Sequence, residues 1–450
     1  METLLFALQE SEEYSGLRNI ANRNGCAALS GLSPMIRAHF IAALCRDLNR
    51  PALVLCHDEE SARVTQDAIQ SFLGETVSFI PSRDLTFYDA NVISRGWEQR
   101  RLRQFHRLAS GETGILVTSL RAITTRTIPK SVLQEAAITL EPGDCHEIDA
   151  LGDRLIALGY TRSSLVEGPG QFALRGGILD VFSPADTRPV RVEFFDDEID
   201  LMGYFDPVTQ RRTENAEQVI LLPVAETLPG LHPQGNAGLA DELKTLIAKQ
   251  NRRKTPNEAL LKTLNTDLER LENHLSFSAW DRYQALIYPE FSCAADYIPE
   301  NAIVFYCDHG TLQKTAKAQE SELRMAMQSL IENGVLEGSL CHFQQNWNDL
   351  CTNFGNSPIL YLDNFLSARY PEARPPQEIF SITAKQLPSY GGNLETAVSD
   401  LQFYQKNNYR TLVLCGSKHR GEILQSMLRE RHVDSMLAFP LTKLPQPGQI

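Results

Sequence analysis

The stretch from Gly168 to Arg212, GPGQFALRGGILDVFSPADTRPVRVEFFDDEIDLMGYFDPVTQRR, constrains this chain most. It reads as β-strands joined by tight turns. A first strand is expected over Phe172–Ser183, interrupted by Gly176–Gly177, a pair that reads as a bulge. The turn Pro184–Pro189 leads into a second strand, Val190–Ile199. A third follows at Leu201–Phe205, closed by Asp206-Pro207.

Successive side chains of a strand point to opposite faces. Val190, Val192 and Phe194 therefore share one face, an ordinary core face, and Arg191, Glu193 and Phe195 share the other. Arg175 is out of phase with Phe172 and Leu174, so it too leaves the core. One sheet face then carries two arginines and a phenylalanine, residue types that dominate binding hot spots. Periodicity alone favours a plainer reading. In it, another part of the chain covers Phe195, and the arginines pair with Glu193 or Asp197.

The series GxFAxRGGILDxF, PVRVEFFDDEID and FDPxTQR closely resembles the module shared by the excinuclease subunit UvrB and the bacterial transcription-repair coupling factor. The resemblance implies a docking surface for UvrA, with contacts at Arg175, Arg191 and Phe195. It implies an α/β fold: a degenerate P-loop helicase-like parallel sheet, an inserted mixed α+β UvrA-docking domain, and a small α/β domain. The expected boundaries are 1–135 with 223–345 for the first, 136–222 for the insertion and 355–450 for the last. In the coupling factor the end of this sequence is followed by more of the last domain, a polymerase-binding domain and two translocase modules. The last domain is therefore read as truncated. RNA polymerase, double-stranded DNA, ATP and magnesium are assigned to those further modules.

The rest of the chain agrees with that outline. Its 450 residues allow roughly three domains. A net charge of −13 argues against nucleic acid binding over the general surface. Nine scattered cysteines, without CxxC or zinc spacing, indicate reduced, cytoplasmic usage and no metal site. No signal peptide or membrane span is read. Strands at Ala27–Leu29, Ala52–Cys56, Thr76–Ile80 and Ile115–Thr118 alternate with helices, which implies a parallel sheet. The helix Trp97–Ala109 carries Arg100, Arg103 and Arg107 on one side, a solvated face that could touch DNA. Further on, Thr255 is read as the cap of a helix bearing Leu261, Leu264, Leu268, Leu271 and Leu275. In the last segment Ile359–Leu362 and Thr411–Cys415 are expected strands.

A phosphate loop needs GxxxxGK[ST] after the first strand. Gly31 keeps the first glycine, but Ile36, Arg37 and Ala38 replace the second glycine, the lysine and the hydroxyl. In UvrB the strand matching Ala302–Cys307 ends in Asp-Glu, whereas Asp308 is followed by His309. Both motifs are degenerate, so no ATPase activity and no bound cofactor are expected. UvrB also carries a damage-gripping hairpin, and the path from Ile80 through Trp97 to Ile115 is too short for it. The leading reading is a non-hydrolytic module that recruits UvrA to stalled transcription complexes. One rival is a UvrB-like damage-recognising ATPase. The other is a scaffold without UvrA contact, in which Phe195 is buried.

Overall fold

The computed structural model describes residues 2–89, 96–112, 114–275, 277–367, 369–384, 387 and 390–450. In chain order the strands are β1 (Cys26–Ser30), β2 (Ala52–Cys56), β3 (Ser78–Ile80), β4 (Ile115–Ser119), β5 (Ile138–Leu140), β6 (Thr161–Arg162) and β7 (Gln171–Arg175). Then come β8 (Ile178–Val181), β9 (Val190–Phe195), β10 (Glu198–Phe205), β11 (Arg212–Asn215), β12 (Val219–Leu221), β13 (Ile303–Cys307), β14 (Ile359–Leu362) and β15 (Glu378–Ser381).

The short apolar runs β1, β2, β13 and β14 are buried along their whole length. Such runs belong at the centre of a parallel sheet covered on both faces. They form a seven-stranded sheet of order β15-β1-β14-β13-β2-β4-β3, parallel throughout. Alternation divides β2 between two cores: Leu53 and Leu55 pack with Leu102, Phe105 and Leu264, while Val54 and Cys56 pack with Phe40, Ile41 and Ile69. The chain is thus α/β with a parallel main sheet. β14 and β15 correct the expected start of the last unit near 355, because both flank β1 in this sheet. Strand order between distant parallel segments is not written in local sequence. Helices Leu394–Lys406 and Lys418–Glu430 pack separately through Val398, Leu428 and Val433. Residues 411–415 have no strand ladder. The helix expected to be capped by Thr255 is Glu258–Glu272, capped by Asn257. Of the path expected to lack a hairpin, residues 90–95 and 113 lie outside the described residues.

Between β4 and β13 the chain builds a second sheet, of order β11-β10-β9-β8-β7-β6. Its inner face, with Phe172, Leu179, Val181, Val190, Val192 and Met202, packs on Leu151 and Leu155 of helix Ile148–Ala157. Two expected elements are corrected. Gly176–Gly177 is the turn of a tight hairpin, not a bulge, since Arg175 pairs with Ile178. Gly176 supplies the required φ of +59°. The expected strand Val190–Ile199 is likewise a hairpin, turning at Asp196 with φ +58°, a conformation Asp tolerates.

The returning chain is fastened by a buried ion cluster. Arg101 Nε donates to Glu226 Oε1 at 2.6 Å, and Arg101 Nη1 donates to the Pro81 carbonyl at 2.6 Å. Thr127 donates to Glu226, Arg83 Nη1 lies 3.5 Å from it, and Arg83 also pairs with Asp281. Arg101 and Glu226 are fully buried. Removing one member of such a pair strands the other, so Arg101→Met is expected to cost about 3–5 kcal/mol in urea unfolding. An unchanged midpoint would contradict this assignment.

Candidate functional site

The outer face of the second sheet is set by register. Arg175, Ile178, Glu193 and Leu201 form one row across it, and Ala173, Asp180, Arg191 and Gly203 form the next. Asp180 is 1% exposed, and its carboxylate is shared by both arginines. Arg191 donates from Nε to Asp180 Oδ1 at 2.6 Å and from Nη2 to Oδ2 at 2.9 Å. Arg175 Nη2 donates to the same Oδ2 at 3.2 Å. The Arg191 guanidinium also lies over the Phe205 ring, 5.1 Å from its centroid. The hydrogen bonds to Asp180 raise the Arg191 pKa above its usual value, against its partial desolvation.

The strand phase thus placed Arg175, Arg191 and Phe195 correctly, outside the core. Phe195 ends β9 and is 80% exposed, so no part of the described chain covers it, contrary to the scaffold reading. The arginines do not pair with Glu193 or Asp197 as the plainer reading had it. Their partner is Asp180, which sequence reasoning missed. A two-residue turn at Gly176–Gly177 would have placed Asp180 opposite Ala173, on the face of Arg175; its pairing with Arg191 depends on the loop 182–189. Also missed were Gly203 and Arg212. A Cβ at Gly203 would lie 2.2 Å from Arg212 Nε, so glycine lets that side chain cross the sheet and bring Nη1 within 3.5 Å of Glu193.

The Arg100, Arg103 and Arg107 face has other uses. Arg103 donates to the carbonyls of Pro184 and Asp186 at 3.0 and 2.7 Å, tying the second sheet to its helix. Arg107 pairs with Glu112 at 2.8 Å, and Arg100 stacks on Trp97.

The loop at Gly31 does not fit a nucleotide phosphate. The amides of Gly31 and Leu32 donate to the carbonyls of Asn364 and Asp363. A Cβ at Gly31 would sit 1.9 Å from the Ile382 carbonyl oxygen. Ile36 is half-buried, Ala38 is buried, and the buried Arg37 reaches Asp308 at 3.5 Å. His309 turns away into the interior. Its Nδ1 lies 2.8 Å from Asp363 Oδ2, and its Nε2 lies 2.9 Å from the Arg369 carbonyl. Both partners are acceptors, an arrangement that favours a proton on each nitrogen. Burial alone would lower the His309 pKa; the Asp363 carboxylate and the Arg369 carbonyl outweigh it and raise the value. Asp308 and Tyr370 also face the ring. A raised folded value means stability that is present below the ordinary imidazole pKa of about 6.5 and lost as pH rises through the folded value. Melts across that range are expected to show a loss with rising pH in the wild type that His309→Gln does not share. Parallel pH profiles would contradict a buried imidazolium.

The UvrB interaction domain family matches residues 138–226, the segment that holds this face. Along 100% of its length the chain is 26% identical to the transcription-repair-coupling factor of Bacillus subtilis, and along 95% it is 26% identical to that of Staphylococcus haemolyticus. It spans 38% and 36% of the lengths of these curated relatives. The chain is therefore similar to the N-terminal region of the transcription-repair coupling factors, and its residues 138–226 match the UvrB interaction domain family.

Proposed function

We propose that this chain is a non-hydrolytic docking module that recruits UvrA of nucleotide excision repair to stalled transcription complexes. The observation that carries the reading is Phe195, an 80% exposed ring on the same outer face of the UvrB interaction domain as two arginines. A large ring exposed on one face with two arginines offers apolar area of the kind that anchors an interface. Arg175 and Arg191 supply charge-assisted contacts on the same face.

In this proposal the first sheet is a helicase-like P-loop domain that has lost its nucleotide and serves as a mount. The inserted domain comprises residues 136–222. Magnesium, ATP, double-stranded DNA and RNA polymerase belong to parts of the longer relatives outside this chain, and the chain works in the cytoplasm. The backbone carbonyls that fill the loop at Gly31 and the inward turn of His309 support the non-hydrolytic part.

Binding of the chain to purified UvrA tests the proposal, with Arg191→Ala and Phe195→Ala beside the wild type. Phe195→Ala is expected to melt like the wild type, because its ring is in water. Each variant is expected to weaken binding by about 2 kcal/mol, roughly thirtyfold. Absence of wild-type binding, or variants that bind as the wild type does, would overturn the recruiter reading.

A further inference from the structure

We infer that Asp180 is the positioning residue of the docking face: its buried carboxylate aims Arg191 and Arg175 at the partner and leaves one positive charge uncompensated for an acidic contact. This rests on the UvrA-docking reading and adds a residue and a partner chemistry to it.

The geometry divides the donors of Arg191 into two edges. The Nε and Nη2 edge is taken by both oxygens of Asp180, at 2.6 and 2.9 Å. The Nη1 end has no protein acceptor among the described residues, and the Arg191 side chain is 23% exposed. Arg175 spends only Nη2 on Asp180, and its side chain is 50% exposed. A bidentate clamp fixes the plane of a guanidinium and so the direction of its remaining donors. The Phe205 ring below Arg191 holds the same plane. Ala173, small and opposite Asp180 in the row, puts no long side chain between the two arginines and the carboxylate they share.

Charge completes the argument. One carboxylate serves two guanidinium groups, while the neighbouring Arg212 and Glu193 balance each other at 3.5 Å. The Arg175–Asp180–Arg191 trio therefore carries a net positive charge on the same face as Phe195, whose cross-strand neighbour is Glu198, and a surface with a carboxylate set apart from an apolar recess fits it. With a neutral amide in place of Asp180, the arginines lose the clamp and must be ordered on binding, which costs affinity.

The test measures UvrA affinity for the whole chain carrying Asp180→Asn, Arg191→Lys, Arg191→Ala, and Asp180→Asn combined with Arg191→Ala. Asp180→Asn is expected to weaken binding about tenfold, because the arginines lose their ordering, while the added positive charge makes the salt dependence steeper. Arg191→Lys keeps the charge, loses the clamp and is expected to weaken binding similarly, which reads the inference even if Asp180→Asn fails to fold. In the Arg191→Ala background, Asp180→Asn is expected to add less than about twofold, because the two act as one unit. A purely structural Asp180 would give independent effects. If Arg191→Ala loses binding while Asp180→Asn and Arg191→Lys bind as the wild type does, this inference falls and the docking reading stands. If the wild type does not bind, both fall.

Discussion

Glu226 has no contact with water, and that single constraint organises the molecule. A carboxylate taken out of water needs cations and donors around it. Burial alone would raise its pKa; Arg101 and Arg83 outweigh the burial and keep the group ionised. The groups that meet there come from helix Gly96–Ala109, from the loop after β3, from the segment after the small helix Leu120–Thr124, and from the chain returning out of the second sheet. Arg103 adds a second tie, to the carbonyls of Pro184 and Asp186. The second sheet is therefore mounted on the first by ions as well as by packing. Its inner face is closed by helix Ile148–Ala157, while on its outer face Ala173 and Phe205 are covered by Val166 and Phe182 and Phe195 is left exposed.

The two candidate sites differ in how they treat polar groups. At the loop after β1, the amides of Gly31 and Leu32 and the side chains of Arg37 and His309 turn inward. Amides are given to neighbouring carbonyls, Arg37 to Asp308, and His309 to Asp363. On the outer face of β7–β10, Asp180 satisfies only part of each arginine, and Phe195 has no cover at all. Unspent donors and an uncovered ring are what a partner can bind.

Local sequence rules reached the strands and the direction of their side chains, because alternation is a local property. They placed Arg175, Arg191 and Phe195 outside the core for that reason. They failed where the answer depends on pairing. Reading Gly176–Gly177 as a bulge lost the register, and with it Asp180. Reading Asp196-Asp197 as strand merged two strands into one, since the αL tolerance of Asp is a weaker signal than glycine. The places of β14 and β15 beside β1, and the meeting of Arg101 with Glu226 across 125 residues, are long-range outcomes that no window of sequence contains.

The most direct measurement is photo-crosslinking of the full chain to UvrA. A photoreactive phenylalanine analogue would replace Phe195 in one sample and Val208 in another, Val208 being 89% exposed in the same domain but outside the face. The account requires a crosslink to UvrA from position 195 and none from position 208. Equal crosslinking from both, or crosslinking from 208 alone, would place the contact elsewhere and contradict it.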